Sequence, residues 1–89
     1  MISFVIPVLN EEKGIKQNIN TIIKHIPTDY EIVIVDDGSK DDTWKQIKEL
    51  SAENKNIVGV RFSRNFGKES ALMAGLAHTS RRCCYYYGF

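Results

Sequence analysis

Residues 31–43 read E-I-V-I-V-D-D-G-S-K-D-D-T. Ile32, Val33, Ile34 and Val35 form an unbroken β-branched run. It is too short for a helix and apolar on both faces, the pattern of a central strand in a parallel sheet covered on both sides. The run stops at Asp36, Asp37 and Gly38. A carboxylate pair at the carboxyl end of a buried strand, followed by a turn at Gly38 and Ser39, stands where open α/β sheets bind their ligands. The pair is therefore the leading site candidate, with Asp36 as the ligand-binding group. The plainer alternative is that Asp37 and Asp41 or Asp42 turn the chain and cap the next helix, as short carboxylates often do.

Toward the amino terminus, residues 2–6 form an apolar, partly β-branched strand closed by Pro7. Asn10, Glu11 and Glu12 then supply a cap and an acidic first turn for a helix. Ile15, Ile19, Ile22, Ile23 and Ile26 recur at helical spacing in one apolar stripe, and Pro27 ends it. His25 lies near that end, where an imidazolium is favourable, and reads as a surface residue without a role. Beyond the central strand, Asp41 or Asp42 caps a second helix carrying Trp44, Ile47, Leu50 and Ala52 on one side, with Trp44 in the core. A polar break at 54–56 leads to a third strand over 57–62. There Val58, Val60 and Phe62 alternate with Gly59 and Arg61, as in a half-buried edge strand. S-R-N-F-G-K-E at 63–69 places cations and backbone amides near the start of a small-residue helix over about residues 70–78. Three β-α units with short links imply right-handed crossovers and a parallel sheet, flanked by helices, with strand order 3-2-1.

The 89 residues fit one small domain. Such a chain buries a smaller share of its surface than a domain of about 100–150 residues, so modest stability is expected. A net charge of +1, from 12 basic and 11 acidic residues, gives no concentrated basic patch of the kind nucleic acid selects. No apolar run approaches the roughly 20 residues of a membrane span, and residues 1–9 are too short and too quickly followed by acids for a secretory leader. The expected location is the cytoplasm. Cys83 and Cys84 are adjacent, which suits neither a disulfide framework nor a C-x-x-C site. No G-x-G-x-x-G follows the first strand and no G-x-x-x-x-G-K-[ST] occurs, which disfavours a dinucleotide enzyme or a P-loop NTPase.

P-V-L-N-E-E at 7–12, I-V-D-D-G-S at 34–39 and R-N-F-G-K-E-S-A-L-M-A-G-L at 64–76 together resemble the amino-terminal part of family 2 glycosyltransferases. R-N-F-G-K-E narrows the likeness to the polyprenyl-phosphate sugar transferases, similar to dolichol-phosphate mannose synthases and bactoprenol glucosyltransferases. The likeness covers residues 2–80. It implies a truncated α/β domain of the Rossmann-like GT-A kind, a UDP- or GDP-linked sugar donor, a polyprenyl phosphate (bactoprenol or dolichol) acceptor, and action at the cytoplasmic face of a membrane. Carried over residue by residue, Pro7, Leu9, Asn10 and Glu11 would border the base and ribose, and Asp36, with Asp37 beside it, would accept a hydrogen bond from the base. Leu9 stands where the family usually has an aromatic residue. An ionised carboxylate only accepts, so Asp36 suits a base edge presenting a ring N–H, as in uracil and guanine. Arg64 and Lys68 would lie toward the diphosphate or the acceptor phosphate. Their alternative is that of solvated loop charges.

The resemblance also implies Mg2+ or Mn2+, held on the donor diphosphate by an Asp-x-Asp motif that ends a fourth strand. Where that strand would stand, residues 81–89 read R-R-C-C-Y-Y-Y-G-F. Neither metal ligands nor catalytic residues are therefore expected in this chain. Encoded AGG CGA TGC TGT TAT TAT TAT GGA TTC and read from its second base, the same stretch gives G-D-A-V-I-I-M-D-S, the family's strand up to its first acidic residue. Cys-Cys-Tyr in that frame can give only Ala or Val twice and then Ile or Thr. Residues 81–89 are thus expected to be a frameshifted tail, and 1–80 the nucleotide-sugar-binding half of a transferase domain.

Two functions follow: the donor-binding half of a glycosyltransferase, or a silent product that binds a nucleotide weakly. An interaction module of flavodoxin-like shape would leave the three motifs as coincidence. With its outer partner overwritten, the first strand is expected to present an apolar edge that invites association, and the tail to be a poor substitute strand.

Overall fold

The computed structural model describes residues 2–77 and 84–86. Strands and helices alternate: β1 (Ile2–Val8), α1 (Ile15–Lys24), β2 (Tyr30–Asp36), α2 (Thr43–Glu53), β3 (Ile57–Arg61), α3 (Lys68–Ala77) and β4 (Cys84–Tyr86). The sheet has the order β3-β2-β1-β4 with every pair parallel. This is the expected 3-2-1 arrangement, with β4 added outside β1.

Ile32, Val33, Ile34 and Val35 are all fully buried, because β2 lies between two strands and under helices on both faces. Alternation divides them. Ile32 and Ile34 join Ile6, Val8, Ile15, Ile19 and Ile47 in a core beneath α1 and α2, whereas Val33 and Val35 meet Ala71 of α3 on the other face. Each such side chain, fully buried, contributes about 1.5–3 kcal/mol, so these residues dominate the stability of the sheet.

The helices follow the apolar spacing, while their starts differ from expectation. Ile15, Ile19 and Ile22 are buried in α1, and Ile23 and Ile26 pack at its margin. Its N-cap is Gly14, without a side-chain cap bond and without acid in the first turn. Asn10, Glu11 and Glu12 precede the helix because their amides are held by the β2–α2 loop. His25 is exposed and its Nδ1 lies 2.8 Å from the Thr21 carbonyl oxygen. In α2, Ile47 and Leu50 are buried, Trp44 packs partly against the core, and Ala52 is exposed.

β1 runs on through Pro7, which pairs with Val35, to Val8 opposite Asp36; extended backbone accommodates the proline ring, and only a donor is lost. Among the described residues β3 pairs only with β2 and leaves Val58 exposed, the edge position read from its alternation. α3 starts at Lys68, ahead of the expected position, and His78 lies outside the described residues. A Cβ on Gly75 would stand 2.2 Å from Val5 Cγ1 and 3.2 Å from Val35 Cγ2, so glycine there lets α3 lie directly on β1 and β2. Outside β1, Ser3, Phe4 and Val5 pair with Cys84, Tyr85 and Tyr86.

Candidate functional site

The carboxyl ends of β1 and β2 open onto a cleft of about 350 Å³ lined by Pro7, Val8, Leu9, Glu11, Asp37, Asn65, Gly67 and Lys68. Of the residues singled out in the sequence, Pro7, Leu9, Glu11, Asp37 and Lys68 thus converge on one space. A more open hollow of about 470 Å³ lies along α2 between Trp44, Lys48 and Arg61. The cleft at the strand ends is the better site, since there three loops converge with a buried carboxylate beneath them.

Asp36 is fully buried. Its Oδ1 accepts the Ser39 amide at 2.9 Å, but Oδ2 is the one buried side-chain oxygen or nitrogen among the described residues with no hydrogen-bond partner. A buried acceptor left without a donor costs about 1–3 kcal/mol, and more when charged. Such a vacancy at a strand end suits a ligand N–H.

Asp37 does something different. Its Oδ1 accepts the Phe66 amide at 2.8 Å and its Oδ2 the Gly67 amide at 3.1 Å. Its own amide donates to the Val8 carbonyl at 2.9 Å. Asp37 therefore joins the end of β1 to the loop after β3. Gly38 has φ 80, and a Cβ there would lie 2.4 Å from the carbonyl carbon of Arg64 and 2.5 Å from the Asn65 nitrogen. Only glycine combines that backbone with so close a crossing.

The β1–α1 loop is laced to the β2–α2 loop by alternate residues. Asn10 N–H donates to Ser39 Oγ at 2.8 Å, Glu11 N–H to Thr43 Oγ1 at 2.8 Å, and Glu12 N–H to Asp41 Oδ2 at 3.3 Å. Asn10, at φ 53, returns a bond by accepting the Lys40 amide on Oδ1 at 2.9 Å. Asp41 also accepts from the Thr43 amide at 2.9 Å and from the Thr43 hydroxyl. Desolvation alone would raise its pKa, but the bonds from Thr43 and Glu12 outweigh it and hold the carboxyl below its ordinary range. Asp42 occupies the α2 N-cap without a side-chain cap bond, so of the two it is Asp41 that serves the helix start.

Three expected residues do not line the cleft: Asp36 is buried at the end of β2, just before Asp37 in the chain, and Asn10 and Arg64 stand outside it. Asn10 shapes the loop at its rim, and the Arg64 guanidinium sits 4.8 Å over the Phe66 ring. Ser39, Thr43, Asn65 and Gly67 were not foreseen. Their signal is the small polar residues at alternate positions after the Asp pair, and the glycine in R-N-F-G-K-E. The cleft can take a ligand with N–H donors toward the carboxylates at the end of β2, of which Asp37 lines it, and an anionic group toward Lys68 and the start of α3, where helix amides favour negative charge.

The family described as Glycosyl transferase family 2 matches residues 3–87 of this sequence. The chain belongs to glycosyl transferase family 2. CsbB of Bacillus subtilis (strain 168), named as a glycosyltransferase, is 44% identical over 81 residues, covering 88% of this chain and 25% of its own. The crystal structure of S. aureus TarS 1–349 in complex with UDP superposes with a TM-score of 0.82 at 28% identity, covering 98% of this chain and 26% of that one. The mannosyltransferase PcManGT from Pyrobaculum calidifontis in complex with GDP-Man and Mn2+ gives 0.78 at 25% identity, covering 89% and 24%. The family 2 chain described here thus spans about a quarter of the length of these relatives. Their likeness identifies the sheet as the Rossmann-like GT-A arrangement. Among the described residues, no group of three His, Cys, Asp or Glu side chains could hold a metal ion, and no helix is long and apolar enough to cross a membrane.

Proposed function

We propose that this chain forms the donor-nucleotide half of a glycosyltransferase that moves a sugar from a UDP- or GDP-linked donor to a polyprenyl phosphate at the cytoplasmic face of a membrane. The observation that carries the nucleotide part is the buried, unpartnered Oδ2 of Asp36 at the end of β2, next in sequence to Asp37, which lines a cleft with Pro7, Leu9 and Glu11. A uracil or guanine ring N–H supplies the missing donor. Relatives solved with UDP, with UDP-GlcNAc, and with GDP-Man and Mn2+ support that class of ligand. The acceptor is inferred from R-N-F-G-K-E at 64–69, which places Lys68 at the cleft.

In this role the chain binds and orients. Asp36 selects the base, the β1–α1 loop borders the ribose, and Lys68 faces the phosphates. In the family a divalent cation neutralises the leaving diphosphate. The described residues offer it no ligand set, so no step is assigned to it here. A second reading is a catalytically silent product that keeps weak nucleotide binding.

Calorimetry with UDP and GDP tests the nucleotide role. The wild type binds one of them, Asp36→Asn loses about tenfold or more in affinity, as for a charge-assisted bond of about 1.5–3 kcal/mol, and Asp41→Asn, also folded, does not. Equal losses in the two variants would remove Asp36 from the site. Turnover of UDP-glucose or GDP-mannose with a polyprenyl phosphate separates the two readings: transfer above background would overturn the silent one.

We also infer that residues 81–89 are translated out of frame. β4 places Cys84, Tyr85 and Tyr86 beside Ser3, Phe4 and Val5, where the shifted frame supplies Val, Ile and Ile. The coding DNA around Ser80 decides this, since an intact frame through Arg81 in independent isolates would rule it out.

A further inference from the structure

Away from the cleft, the outer edge of β3 offers main-chain groups to a further strand. On its inner side the Asn56 carbonyl accepts the Ile32 amide at 2.8 Å and the Phe62 amide donates to the Asp36 carbonyl at 2.9 Å. Main-chain groups alternate in direction along a strand, so those of residues 56, 58, 60 and 62 face β2 and those of Ile57, Gly59 and Arg61 face outward. Ile57 is satisfied locally: its amide donates to the Asn54 carbonyl at 3.0 Å, and its carbonyl accepts the Ser51 hydroxyl at 3.0 Å. Among the described residues, nothing serves the outward groups of Gly59 and Arg61 in that way. Natural edges are commonly blunted by lysine, proline or a bulge, and I-V-G-V-R, in continuous register with β2, has none of these. Both faces beside the edge are open as well. α3 packs on β1 and β2, which leaves Val60 and Phe62 only partly covered and Val58 39% exposed. On the other face Arg61 lies 5.7 Å over the Trp44 ring. A hollow of about 330 Å³ opens there between Trp44, Ala52 and Gly59, and the adjoining one is lined by Asp41, Asp42 and Glu49 beside Lys45 and Lys48.

We propose that this edge joins two copies of the chain, β3 running antiparallel to β3 of the partner about a two-fold axis at Val60. That register sets Gly59 of each copy opposite Arg61 of the other as hydrogen-bonded pairs, so the outward groups satisfy one another. Centring at Gly59 would put Arg61 opposite Ile57, whose groups are taken, and centring at Arg61 would set two guanidinium side chains side by side. With the axis at Val60 the interface is isologous. The Arg61 side chain of the partner lies opposite Gly59, which presents no side chain of its own, and brings its cation to the Trp44 face and the acidic side of the hollow. On the α3 side the two Val60 side chains meet, and each Val58 meets a Phe62, a β-branched and aromatic match. The pairing is independent of the nucleotide reading, since it uses the edge of the sheet and leaves the strand ends free.

Sedimentation equilibrium of the 89-residue chain over a rising concentration series should show the mass climbing from one chain to two; one chain throughout overturns the proposal. Val58→Lys, at an exposed position, should keep the wild-type circular dichroism and lose self-association by about tenfold or more, because each lysine would be buried against a Phe62. Undiminished association in that variant would place the contact on another surface, such as the β1 side of the sheet, and would also overturn it. Cysteine pairing reads the register, with Cys83 and Cys84 replaced by serine. The two Val60 Cα atoms form a non-hydrogen-bonded pair about 4.5 Å apart, within disulfide reach. Val60→Cys should therefore give a covalent dimer on oxidation, whereas Val58→Cys, whose counterpart lies roughly 14 Å away along the partner strand, should not. Any other pattern of crosslinks removes the pairing of Gly59 with Arg61, and the crosslinks decide the matter if Val58→Lys fails to fold.

Discussion

The amide of Asn10 donates to Ser39 Oγ at 2.8 Å, and the Asn10 side chain accepts the amide of the next residue, Lys40, at 2.9 Å. This reciprocal pair joins the turns that follow β1 and β2, and it holds Asn10 at φ 53. Alanine there is strained by about 1–2 kcal/mol, whereas glycine is at ease. Asn10→Ala should lose about that much stability in urea unfolding and Asn10→Gly less, the glycine variant losing chiefly the Lys40 bond. Equal losses would show that the bond, not the backbone, sets the cost.

Asp41 gives a pH-dependent contribution. Its folded-state pKa lies below the ordinary value of 3.8 because the bonds from Thr43 and Glu12 outweigh desolvation. The stabilisation is therefore complete above the ordinary pKa and is lost as pH falls through the lowered one. Asp41→Asn should melt below the wild type at neutral pH, and the gap should close in acid. A gap of constant size across that range would contradict the assignment.

Gly75 is an overpacking site. A methyl group added there meets Val5 Cγ1 at 2.2 Å, and Val5 is fully buried in β1. Gly75→Ala should destabilise by about 1–3 kcal/mol despite the gain in helix propensity. A companion Val5→Ala, which makes room, should recover part of the loss in a double-mutant cycle. Additive effects would mean that α3 shifts instead.

The tail is testable by restoring the residues of the shifted frame. Cys84→Val with Tyr85→Ile and Tyr86→Ile puts β-branched residues into β4, beside Ser3, Phe4 and Val5. Each kcal/mol gained should raise Tm by about 4–8 °C. Removing everything after Ser80 should lower Tm and promote association through the outer edge of β1. A monomer with unchanged Tm after that cut would show that β4 contributes nothing.

Much of this protein was legible in the sequence because its signals are local. The β-branched run at 32–35, the isoleucine stripe of α1 and the alternation in β3 each report a burial pattern with its own period, and short β-α links leave few parallel topologies. The place of the Asp36–Asp37 pair at the end of a buried strand was likewise readable. What the two carboxylates do was not, because it depends on contacts between residues distant in sequence: Asp37 with Phe66 and Gly67, Ser39 with Asn10, Thr43 with Glu11. The same holds for the helix starts. Asn10 to Glu12 look like a cap until their amides are seen to be taken by another loop, and the contact of Arg64 with the Phe66 ring has no local signal. Periodicity reports which face of an element is buried, whereas hydrogen-bond partners are decided only when strand ends and loops are brought together in space.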